Sequence, residues 1–159
     1  MSNARQPLSI SVAATGVEVT GTIDESANLV PLVKHARGGR LVLDLAGVTF
    51  INSIGVREWV MMQRAAADAS VRIELRRVAE VIIHQLNIVP AARGVSLVTS
   101  FYAPYECEPC ELEDVFLIDV IEHGAALARL EPPVMKCPEC RRDMVFADPP
   151  ELYLAFFAA

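Results

Sequence analysis

The sequence predicts an α/β fold, a mixed sheet with helices packed against it, followed by a small unit organised by cysteines. Three observations lead there. From Leu8 to Phe101 the apolar period switches repeatedly between two and 3.6, the mark of interleaved strands and helices and not of a bundle. After Phe101 the texture changes to Pro104, Pro109, Pro132, Pro133, Pro138, Pro149 and Pro150, with all four cysteines. The chain has 159 residues, 53% hydrophobic and 21% charged, so it is too apolar for disorder. At that length roughly 70% of the unfolded surface can be buried, and no disulfide is needed to make up for a small core.

Ser9–Ala13 and Val17–Ile23 read as strands joined into a hairpin by the short Thr15-Gly16 link. Ser26 or Asn28 caps a predicted helix whose Leu29, Leu32, Val33 and Ala36 share one face; Pro31 is tolerated in its first turn, and Gly38-Gly39 ends it. Leu41–Leu45 is a near-continuous apolar run, as in a central strand covered on both faces. Asn52 and Ser53 open a second helix carrying Val56, Trp59, Val60, Gln63 and Ala66 at helical spacing, with Trp59 placed in the core. Val71, Ile73 and Leu75 alternate with Arg72, Glu74 and Arg76, which predicts a strand with one wetted face. A third helix follows along Val78, Val81, Ile82, Gln85 and Leu86, with room for His84 on its buried side, and Val95–Phe101 is the last strand. These elements make a first domain over 8–101.

The second unit, 102–159, has one β-branched run, Val115–Ile121, read as a strand. Asp148-Pro149-Pro150-Glu151 carries the side chains of a helix start and leads into Leu152–Phe157, whose Leu152, Tyr153, Phe156 and Phe157 form a docking face. Ser2, Asn3 and Ala4 resemble a cloning-derived leader and are set apart from the fold.

Fourteen basic against twenty acidic residues give a formal charge of -6, with no cationic run able to hold a phosphate backbone, so nucleic acid is not expected as a partner. Arg76-Arg77 and Arg141-Arg142 read as solvated surface. No stretch approaches the roughly 18 apolar residues of a membrane span, and no signal-peptide order is visible, which predicts a cytoplasmic protein. No nucleophile-base-acid set, Gly-rich phosphate loop or His-Glu metal motif occurs, which argues against an enzyme. His35, His84 and His123 stand singly and read as packing or surface residues.

Cys107-Glu-Pro-Cys110 and Cys137-Pro-Glu-Cys140 each set two thiols close enough for one tight turn to aim both at one ion. Four thiolates suit tetrahedral Zn²⁺ and leave no open position, so the expected ion is structural, in a zinc-ribbon-like unit. The same spacing admits a rubredoxin-type iron centre or a redox dithiol; two structural disulfides are disfavoured in a reducing compartment.

With the order of elements in hand, the run Asp44-Leu45-Ala46-Gly47-Val48-Thr49-Phe50-Ile51-Asn52-Ser53-Ile54-Gly55-Val56 resembles the STAS domains, the family of anti-sigma-factor antagonists. Gly21-Thr22-Ile23-Asp24 is similar to that family's Gly-x-x-Asp at the end of its second strand. The resemblance covers roughly residues 8–101 and implies a STAS-like mixed sheet and a binding switch. It puts Ser53 at the serine phosphorylated by a partner kinase that is itself an anti-sigma factor, and Asp24 at the acidic residue beside it. Asn52, Ile54 and Gly55 complete the partner-binding surface. Asn52 stands where the family has Asp, and Ile54 replaces a second Ser.

A plain N-cap at Asn52 or Ser53 is the alternative account of the pair, worth roughly 1 kcal/mol. The expected function is accordingly regulatory binding switched at Ser53, with the alternative of an unphosphorylated adaptor subunit such as those of transporter ATPases. The apolar C-terminal helix leaves homo-oligomerisation open.

Overall fold

The computed structural model describes residues 4–157, so Ser2 and Asn3 lie outside the described residues. β1 (Ser9–Ala13) and β2 (Gly16–Ile23) form the expected antiparallel hairpin. β3 (Arg40–Ile51) and β4 (Arg72–Arg76) add in parallel, and β5 (Ser96–Val98) completes a five-stranded sheet in the order β1-β2-β3-β4-β5. Each parallel connection steps the same way across the sheet. Right-handed crossovers therefore put all the connecting helices on one face. Leu41, Leu43, Ile73 and Leu75 fill that face and are no more than 1% exposed.

The opposite face is polar, with Asp44 registered beside Arg76, Val42 beside Glu74, and an Arg40–Glu74 ion pair. β3 is nonetheless buried on both faces over Leu41–Leu45, as its apolar run suggested. On the polar face Val42 and Asp44 are buried, and two arginines lie over the Asp44 carboxylate.

The predicted first helix is a six-residue 3-10 turn, Val30–His35. Its side-chain cap is missing: Leu29 occupies the cap position, Ser26 bonds to Asp24 instead, and Pro31 offers no N–H. Leu29 and Leu32 still anchor it in the core. α1 (Ser53–Asp68) begins where expected and buries Trp59, Met62, Gln63 and Ala66. α2 (Glu80–Ile88) is followed by a short α3 (Pro90–Arg93) that the sequence did not announce. Trp59 Nε1 and Gln63 Nε2 both donate to Ala92 O, at 2.8 and 3.3 Å, and so tie α1 to α3. Trp59 is core. His84 is exposed, with its ring edge-on to Tyr153, and is not on the buried side of α2.

The predicted strand Val95–Phe101 is two strands that belong to different sheets. Thr99 N donates to Leu75 O, the last bond to the first sheet, and from Ser100 the chain enters β6 (Ser100–Cys107). β7 (Leu112–Asp119), β8 (Met135–Lys136) and β9 (Asp143–Phe146) complete an antiparallel sheet ordered β7-β6-β9-β8. Pro104 sits in the middle of β6 because that position bonds away from β7: its carbonyl accepts from Ala147 N, and an N–H is not needed there.

β7 ends earlier than the Val115–Ile121 run predicted. The Asp119 carboxylate accepts from the N–H groups of Ile121 and Glu122 and starts α4 (Val120–Leu127). At the C-terminus the predicted helix is a single turn, α5 (Pro150–Tyr153), then a 3-10 turn, Ala155–Phe157. Asp148 does not cap it; Pro149 holds that position with no side-chain bond. Tyr153, Phe156 and Phe157 of the predicted docking face pack within the chain, whereas Leu152 is 66% exposed and does not. Tyr153 Oη donates to Tyr102 O at 2.6 Å, Asn87 bridges Tyr153 O and Phe156 N, and Phe101 packs edge-on to Phe156. Buried residues of both sheets thus join in one core cluster that runs from Val17 to Leu154 and includes Cys107 and Cys137.

Candidate metal centre and the Ser53 surface

The two Cys-x-x-Cys segments occupy equivalent places. The first forms the β6–β7 turn, a 3-10 turn over Glu108–Cys110, and the second lies between β8 and β9. Each second cysteine is followed by a residue with positive φ, Glu111 at 51° and Arg141 at 62°, which reverses the chain into the next strand. In each knuckle the main-chain N–H of the second cysteine points at the first cysteine's sulfur: Cys110 N–H at Cys107 and Cys140 N–H at Cys137.

All four Sγ atoms lie within 4.8 Å of one another, with Cys107–Cys140 at 3.6 Å and Cys110–Cys137 at 3.9 Å. Four thiolates at about 2.3 Å from a tetrahedral ion stand about 3.8 Å apart, so the set fits one ion. The cysteines are free, and these separations are nearly twice a disulfide bond of about 2.05 Å.

The electrostatics also call for a cation. Cys107 is pushed up, first by burial; Cys110 is pushed up, first by the neighbouring Cys140 sulfur and then by burial. Cys137 is drawn down to about 7, first by the Cys140 N–H, against burial and with help from the Glu139 N–H. Four sulfurs this close cannot all ionise without a positive charge among them. Cys107 and Cys137 are buried while Cys140 is exposed, so one corner of the cluster faces water.

Ser53 is exposed at the first residue of α1. The cap is Asn52, whose Oδ1 accepts from Gly55 N at 2.9 Å and whose Nδ2 donates to Glu25 Oε2 at 3.0 Å. Gly55 is required by close approach, because a Cβ there would lie 2.1 Å from Ile23 O, and Asn52 N also donates to that carbonyl at 3.2 Å. The start of α1 is therefore clamped onto the end of β2. Ile54, 48% exposed, stands beside Ser53 on the open side. Asp24 caps its own turn through Ser26 N and Oγ, and these bonds hold its carboxyl below the usual range.

The Arg76-Arg77 pair departs from the solvated surface that the sequence suggests. Asp44 is 4% exposed and accepts from Arg76 Nε at 3.3 Å and Arg77 Nη2 at 2.8 Å, so this arginine pair is not simply solvated surface. An aspartate inside the apolar run Leu41–Leu45 was the signal, since a buried carboxylate needs partners.

Comparison with protein-family models, with curated proteins and with solved structures finds no match to the chain. Among the described residues, no helix is long and apolar enough to cross a membrane.

Proposed function

We propose that the chain is a non-enzymatic regulatory binding protein, similar to the anti-sigma-factor antagonists, whose contact with a protein partner is switched by phosphorylation of Ser53. The observation that carries this is the exposed Ser53 at the first turn of α1, with Asn52 and not Ser53 serving as the cap. The hydroxyl is thus spared for a kinase. The strand order, with one antiparallel edge hairpin and helices on one face, supports the STAS-like reading.

A phosphate carries about -1.5 to -2 charges and would sit at the N–H-rich helix start while facing Glu25 and Asp24 across the loop. The added charge changes the docking surface and leaves the clamped backbone in place. The zinc-ribbon-like unit contributes a structural Zn²⁺ on Cys107, Cys110, Cys137 and Cys140. When bound, the ion supplies a fixed crosslink between two hairpins and no open coordination position. Iron in the same thiolate set is distinguished by its visible absorption.

The adaptor reading, in which Ser53 is never modified, is favoured by one observation: Glu25 is already bonded to Asn52, so the phosphate would enter beside a fixed carboxylate. Partner capture with Ser53→Ala and Ser53→Asp separates the two. The switch requires Ala to retain the partner and Asp to lose it; the adaptor holds it equally with both.

A further inference from the structure

The second sheet leaves one long edge open. All eight residues of β7 pair with β6, and among the described residues no strand pairs with its other side. Which groups face outward follows from the ladder. Tyr102 N is spent on Val78 O and Pro104 O on Ala147 N, so these residues bond away from β7. Their partners Leu117 and Val115, and Glu113 in step with them, likewise turn their main-chain groups away from β6, toward the open edge. Val115 and Leu117 are also exposed in their side chains, at 43% and 45%.

The charge along this edge has one sign. Glu113 and Asp114 stand at one end of β7 and Asp119 at the other, and the Asp114 carboxylate covers the outward Val115 N–H at 2.8 Å. The basic residue of the opposite edge strand, Lys136 of β8, is paired with Asp143. Two β7 edges laid antiparallel would oppose acid to acid. β8, the other edge, is only two residues long and offers too little strand to match eight. Acids along an exposed edge discourage self-pairing and favour a cationic guest.

We propose that the free edge of β7 is a docking site for an extended segment of a partner protein, apolar or β-branched opposite Val115 and Leu117 and carrying Lys or Arg at both ends. The segment pairs as a fifth strand through the outward main-chain groups. Its cations take over Asp114 and release the Val115 N–H for the ladder. This surface is separate from Ser53, and Ser53→Asp leaves it intact.

The test is a fluorescence-anisotropy titration of the full zinc-loaded chain with a labelled peptide, Lys-Arg-Val-Thr-Val-Thr-Arg-Lys, and with its counterpart bearing Glu at the four basic positions. The basic peptide is expected to bind at least about ten-fold tighter at low salt, with the advantage shrinking as salt is raised. Leu117→Pro, which removes an outward N–H and no β6 bond, is expected to abolish the difference, and Ser53→Asp to leave it unchanged. Should the proline variant misfold, backbone N-methylation of the peptide's valines makes the same cut from the other side. Equal affinity for both peptides, no binding of either, binding unaffected by both strand-blocking changes, or β7-mediated self-association of the chain overturns the proposal.

Discussion

Removal of the metal should melt one part of the molecule and spare another. The twelve residues from Met135 to Phe146 form a two-strand hairpin whose inward side chains are Met135, Cys137, Met144 and Phe146. Ordering twelve residues opposes folding by about 18 kcal/mol at about 1.5 each, whereas burying those side chains returns about 6 kcal/mol. An ion on four thiolates supplies on the order of 10 kcal/mol, and the short ladder to β6 covers the small remainder. Without the ion the hairpin has no reason to stay folded, while the helix-covered sheet keeps its own core.

Hydrogen exchange before and after chelation reads this directly. The Cys137 N–H, bonded to Arg142 O, and the Arg141 N–H, bonded to Cys137 O, should lose protection by several orders of magnitude. The Thr99 N–H, bonded to Leu75 O, should keep most of its own. Binding should also release about two or more protons per ion, because Cys107 and Cys110 are raised and enter as thiols, so acid weakens the site. Unchanged exchange at Cys137 and Arg141 in metal-free protein would refute this reasoning.

Further changes follow from Asp44, from the start of α1 and from Glu80. Asp44→Asn should lower stability by about 2 kcal/mol, below the 3–5 of a fully buried pair because Arg76 and Arg77 are partly hydrated, and Asp44→Asn with Arg77→Leu should recover part of it; denaturant melts measure both. Asn52→Ala should cost about 1 kcal/mol through the lost cap, and Gly55→Ala clearly more, because its Cβ meets Ile23 O; a smaller loss at Gly55 would contradict the clamp. Glu80 is raised, first by desolvation, so the folded state holds its proton more tightly and loses stability as pH rises past the unfolded value; Glu80→Gln should therefore raise the melting temperature at pH 7 and have little effect well below pH 4.

The parts of the fold written in local pattern were legible in the sequence. Period two at Arg72–Arg76, period 3.6 at Ser53–Asp68 and the paired cysteines each encode their own geometry. What escaped was set by distant atoms. Val95–Phe101 reads as one strand because nothing between Val98 and Ser100 is a turn residue; the division comes from Leu75 and Val78 capturing successive main-chain groups. The Val115–Ile121 run hid the Asp119 cap, since β-branched residues favour a strand until a carboxylate offers the next two N–H groups a partner. Asp44 lies within an apolar strand and is the anchor of two arginines, Arg76 at the end of β4 and Arg77 just after it. At the site, the sequence placed Ser53 and Asn52 at a helix start, but only the bond from Gly55 N to Asn52 Oδ1 shows which of them closes it.

The most direct test of the regulatory account is phosphopeptide mapping of the protein isolated from its native cells under changing growth conditions. The account predicts a phosphate on Ser53 whose occupancy varies with condition. A Ser53-containing peptide that is fully recovered and unmodified in every condition contradicts it.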